Sequence, residues 1–156
     1  MRPNRFLATP DSGVLLFQRL VLGCVMFPHG AQKVLGWFGG GGWSQTMSSF
    51  EKGLGLPAVI AAIAILNEFL GSISLITGAL TRLGAFCITA NMVAAVYLAH
   101  IHNGFFMNWT GTKHGEGFEY HLLALALAVP LIIKGGGLFS VDRAIVHGDD
   151  HDVVTP

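Results

Sequence analysis

Long apolar stretches alternate with short polar ones along this chain. Four of them approach the roughly 20 residues that a helix needs to cross a bilayer core. They cover 13–35, 57–80, 83–103 and 117–134. Backbone polar groups in lipid must be satisfied within their own segment, so each stretch is expected to be a helix. Pro28 and Pro130 are expected to bend the first and last of them. The pattern predicts an all-α fold, an integral membrane four-helix up-down bundle over residues 13–143. Residues 1–12 form a cytoplasmic N-terminal tail in this reading. Residues 144–156 form a polar, flexible C-terminal tail.

The connections are unequal. "TR" is all that separates the second and third stretches, with Arg82 in a tight turn. The loop at 36–56, "GWFGGGGWSQTMSSFEKGLGL", carries Trp37 and Trp43, residues suited to a membrane interface. Its second half is patterned as a short amphipathic helix lying on the surface. No strand precedes its four glycines and no GK[ST] follows, so it is not a phosphate loop. The loop at 103–116 is aromatic and polar and faces the same side. Both loops are expected to offer surfaces to protein partner subunits. "NWT" at 108–110 matches a glycosylation acceptor, which is uninformative in a bacterial-looking chain.

Composition agrees with the pattern. Only 12% of residues are charged and 52% are hydrophobic, against about 25% charged in a soluble domain. Net charge is zero, so the chain has no electrostatic footprint for nucleic acid. Arg2, Arg5, Arg82, Lys134 and Arg143 fall on one side of the four spans, and Lys33, Lys52 and Lys113 on the other. That bias puts both termini in the cytoplasm of a bacterial inner membrane. Gln18 and Arg19 interrupt the first apolar run, which argues against a cleaved leader there. Arg19 is expected to snorkel to the near interface. Cys24 and Cys87 have no metal spacing and read as buried small hydrophobes. Small residues at 71, 72, 74, 78, 94, 95 and 99 read as bundle-packing positions. His147, Asp149, Asp150 and His151 form a polar tail that reads as solvated rather than metal-binding.

Ionisable groups inside a span are costly and mark functional positions by default. Glu68 and Asn91 lie near the middles of the second and third spans. His29 and Lys33 share a face of the first, His100 and His102 end the third, and Glu116, Glu119 and His121 introduce the fourth. All fall in the outer half, and the inner half is expected to be nearly free of polar groups. The first and fourth spans should be neighbours, bringing His29 toward His121. Three chemistries fit: a metal or haem held by histidines, proton relay to a bound quinone, or simple charge pairing of Glu68 with His29 or Lys33. HxH places His100 and His102 on different faces of a helix, a poor chelating pair.

Several pieces together resemble the DoxX family of small four-helix bacterial membrane proteins. They are "RLVLG", "FPHGAQK", "GLGLP", "NEFLGSISLITGALTRLGA", "NMVAAVYLAH" and "GGGLFSVDR", spread over about 17–143. His29, Gly30, Lys33, Glu68, Gly71, Gly78, Arg82, Ser140 and Asp142 match its motif positions. The resemblance implies a link to quinone and thiol redox chemistry, in which many members act as partners of other proteins. His114, His100, His102 and His121 go beyond that motif.

The leading expectation is a quinone-linked membrane protein. His29, Glu68 and Lys33 would carry the chemistry, and His29, His100, His121 and Asn91 would line the cofactor site. Quinone comes first among cofactors, ahead of haem or a His-bound metal, and the metal itself is left unknown. No flavin, cysteine-pair or iron–sulfur motif supplies an electron carrier, so whether the chain is an enzyme stays open. The alternative is a non-catalytic membrane anchor or accessory subunit of a larger respiratory or redox complex. A transporter is disfavoured because four helices without a repeat make alternating access hard outside a homo-oligomer.

Overall fold

The protein's structure, a computed structural model, describes residues 6–151, with the backbone alone at 148–151. Six α-helices account for most of it, and the described residues contain no strand. They are α1 (Gly13–Val34), α2 (Gly42–Gly53), α3 (Ala58–Thr77), α4 (Thr81–Ala95), α5 (Glu119–Lys134) and α6 (Val141–His151). A π turn, Val96–His100, and a short 3₁₀ turn, Ile101–Asn103, extend α4. Three helical stretches, Gly13–Val34, Ala58–Thr77 and Thr81–Asn103, are long and apolar enough to cross a membrane. The fourth, α5, has 16 residues, a rise of about 24 Å. Pro28 and Pro130 lie within α1 and α5.

The four long helices contact one another in sequence: α1 with α3, α3 with α4, α4 with α5, and α5 again with α1. Leu22, Met26, Leu75, Ile88, Met92, Ala128 and Leu131 fill the space between them. α1 and α3 approach closely. A Cβ on Gly30 would sit 2.6 Å from the Cα of Phe69, so only glycine lets the two backbones meet there. The outside of these helices is unusually apolar: Val14, Phe17, Val59 and Leu123 are each more than 60% exposed. Such a surface suits lipid contact.

One end of the molecule is locked by long-range caps. Arg19, expected at the interface, is 1% exposed. Its guanidinium donates to five backbone carbonyls: Leu75 and Ile76 at 2.8 and 2.7 Å, Gly136 at 3.1 Å, and Leu138 and Phe139 at 3.4 and 3.2 Å. It thereby caps the C-terminus of α3 and holds the 136–139 turn, which is where a helix end needs donors and favours positive charge. Snorkelling fails because these carbonyls satisfy the charge inside. Arg82 does the same for α5, donating to the carbonyls of Ile132 and Ile133 and to that of Ala8. The buried Asp142 carboxylate supplies the opposite sign, accepting from the amides of Leu80 and Thr81 at 2.7 and 2.8 Å to cap the N-terminus of α4.

These caps correct two expectations. The turn between α3 and α4 is Gly78–Leu80, and Arg82 belongs to the first turn of α4. This end of the molecule is also not poor in polar groups: Arg19, Ser72, Thr81, Ser140 and Asp142 are all buried there. The turn needs two left-handed residues, Gly78 at φ +72° and Leu80 at φ +51°. Leu80 pays the side-chain penalty of that region, offset by its amide's bond to Asp142.

α6 packs its start into this network. Ser140 touches Gly78, and the Asp142 amide donates to the Gly78 carbonyl at 2.9 Å. Arg143 pairs with Asp11, whose carboxyl it holds below its ordinary value of 3.8 through the hydrogen bond. Asp149, Asp150 and His151 lie outside the described side chains, as Arg2 and Arg5 lie outside the described residues.

Candidate functional site

At the other end, α2 and the loop 104–118 cover a cavity of about 430 Å³. Its size lies within the range of small-molecule sites. α1 contributes Met26, His29 and Lys33, α3 contributes Ile60, Ala64 and Glu68, and α5 contributes Tyr120 and His121. Asn91, Met92 and His100 come from α4 and its π turn, and Phe50, Leu54 and Leu56 from α2 and the segment after it. Apolar side chains make up most of the wall. Ala94, Ala95 and Ala99 also face this space. Their small size keeps the cavity open, where the sequence suggested helix packing. Gly71 does pack as expected, against Gly84 and Ile88 of α4.

The polar groups fall in two sets. In the first, Lys33 Nζ lies 2.5 Å from Glu68 Oε1. Glu68 is 6% exposed, in the middle of α3. A buried carboxylate needs such a partner, because desolvation of a lone charge is costly. Lys33 Nζ also lies 3.4 Å from the carbonyl of His29, one turn back. His29 itself is exposed at the cavity edge and makes no ion pair with Glu68. Of the two pairings the sequence allowed, the lysine takes the charge.

The second set lies on the α4 extension and α5. The rings of His100 and His121 are 4.4 Å apart. His100 Nδ1 donates to the carbonyl of Glu116 at 2.9 Å. His121 is 6% exposed, and its Nδ1 is buried without a partner. The wide π turn sets His100 here, and such turns are common at functional sites. His102 and His114 are exposed and apart from the cavity.

Tyr120 joins the two sets. Its ring lies 6.2 Å from that of His29 and 5.7 Å from that of His121. Its hydroxyl donates to Met26 Sδ at 3.3 Å, a weak acceptor. Sequence reasoning brought His29 toward His121 but missed the tyrosine between them. The only signal was an aromatic next to a histidine at the start of a span. Asn91 is tied to the Ala64 carbonyl at 2.6 Å, so its amide bridges α4 to α3.

Loop 104–118 is fastened to the start of α5. The Glu119 carboxylate accepts from the Met107 amide at 3.2 Å, and that of Glu116 from the Asn108 amide at 2.6 Å. Among the described residues, no three His, Cys, Asp or Glu side chains converge as a metal site. Cys24 is exposed and Cys87 half-buried, both free. The expectation of two buried thiols therefore fails for Cys24, whose side of α1 faces outward.

The DoxX family model matches residues 14–101. This chain belongs to the DoxX family. Searches of curated proteins and of solved structures find no match. In DoxX terms, the matched stretch holds His29, Lys33, Glu68, Asn91 and His100, and it ends before Tyr120 and His121. Membership and the long apolar helices make this DoxX chain a membrane protein.

Proposed function

We propose that this protein binds a membrane quinone in the cavity and presents it to a redox partner. The observation that carries the reading is the cavity itself. It is largely apolar and of small-molecule size, and a buried glutamate, paired to a half-buried lysine, and a histidine stand on its wall. An apolar tail would lie along α2, α3 and α4, and the headgroup would meet His29, Lys33 and Glu68. His29 would hydrogen-bond a ring oxygen, Lys33 would favour an anionic form, and Glu68 would hold Lys33 in place. Electrons would pass to or from a partner redox protein docked on loops 36–56 and 103–116. In the membrane we place 13–143 as a four-helix up-down bundle with α5 as the short fourth span. Both termini would face the cytoplasm of a bacterial inner membrane, and the cavity would open to the outer side.

A second reading, an accessory subunit without a ligand of its own, is favoured by the outer loop. There Trp109 is 85% exposed and Phe106 65% exposed, surface suited to a partner. Purification of the full chain in mild detergent, followed by quinone extraction and quantification, separates the two. Bound quinone near one per chain, lost in His29→Ala and Glu68→Gln, supports the first. Absence of quinone alongside a co-purifying partner supports the second.

A further inference from the structure

In the quinone reading the headgroup's partners all come from the α1 and α3 side of the cavity, yet the opposite wall is also polar and buried. His121 and Glu68 are equally buried at 6% exposure. The two face one cavity from different helices. Between these sides stands the flat ring of Tyr120, 6.2 Å from His29 and 5.7 Å from His121. The two polar sets are therefore separated by about one aromatic ring.

We infer that the site grips its ligand from both ends: a planar ring lying against Tyr120, with one oxygen at His29 and Lys33 and the opposite oxygen at the His121–His100 pair. This rests on the quinone reading and narrows it to a para-quinone, whose oxygens lie at opposite corners. The hydrogen-bonding roles follow from the contacts. The Glu116 carbonyl can only accept, so His100 carries its proton on Nδ1. His121 Nδ1 is enclosed without a partner. Buried N–H groups without a partner are rarer than buried acceptors without one, which places the His121 proton on Nε2. That nitrogen is the one left to meet a ligand oxygen. The π turn that places His100 against His121 then acts as a support for the second grip.

The test uses the full chain in detergent, titrated with decylubiquinone and separately with 6-decyl-2,3-dimethoxy-5-methylphenol, which keeps the other ring substituents and the tail and lacks the second ring oxygen. The wild type is expected to bind the quinone about tenfold more tightly, the worth of one further hydrogen bond. His121→Phe and His100→Ala are each expected to erase that advantage and leave phenol affinity within about twofold. His100 is only half-buried, so its variant keeps the test decisive if His121→Phe fails to fold. Quinone affinity unchanged in both variants, or phenol affinity lost equally, overturns the two-ended grip while leaving quinone binding intact. No binding of decylubiquinone to the wild type overturns the quinone reading, and this inference falls with it.

Discussion

Lys33 and Glu68 are a charge pair whose removal tests what each partner does. Losing Lys33 leaves Glu68 buried and uncompensated, so Lys33→Met is expected to cost about 3 kcal/mol. The double variant Lys33→Met/Glu68→Leu should recover much of that loss, because no charge is then stranded. Thermal unfolding in detergent reads both; a double variant less stable than the single would show that the pair is not the reason. The need for a partner was legible in the sequence, since an acid mid-span demands one, but His29 and Lys33 share a face of α1 and the sequence left both open. Tyr120 was not legible. Aromatics at the ends of spans are common, and nothing in spacing tells a ring in a cavity from one at an interface.

At the level of elements, the helix ends set the shape. Arg19→Lys keeps the charge, but a lysine has three donors and no planar fork to reach five carbonyls. A loss of more than about 2 kcal/mol is expected, seen as a lower melting temperature; Arg19→Lys melting with the wild type would refute the cap. Gly78→Ala should cost about 1–2 kcal/mol for its left-handed backbone alone, and more because its Cβ would press on Ser140. Arg143 holds Asp11 ionised below its ordinary value of 3.8. That tether is present above 3.8 and lost as pH falls through the lowered value in the folded protein. Protection of the α6 amides against hydrogen exchange, taken relative to the intrinsic rate at each pH, should fall on acidification, and Asp11→Asn should remove that pH dependence. None of these caps was readable from the sequence. The acceptors are backbone carbonyls 50 or more residues away, which have no side-chain signature. An arginine near a span end reads as interfacial until its partners are known.

For the whole molecule, hydropathy announced most of the architecture. The long apolar stretches became helices within a few residues of their expected limits. What periodicity could not give was which small residues pack and which keep space: Gly30 admits α3, whereas Ala94, Ala95 and Ala99 border a void. The proposed orientation has a direct test. A C-terminal reporter active only in the cytoplasm should be active; an active periplasmic reporter there would invert the bundle and the cavity with it.

The π turn at Val96–His100 has one further consequence. A π turn holds one residue more than an α turn, so the segment behaves as though it carried an insertion. Excising Ala99 would let regular α geometry run on toward the loop. Side chains beyond the turn would keep the faces they have, because the wide turn is what absorbs the extra residue. His100, at the end of the turn, would stay beside His121, and the cavity wall would lose only the methyl of Ala99. A shortened protein that melts like the parent and keeps its preference for a two-oxygen ring would show that the surplus residue is slack in the helix; a lost preference would show that the wide turn itself aims His100.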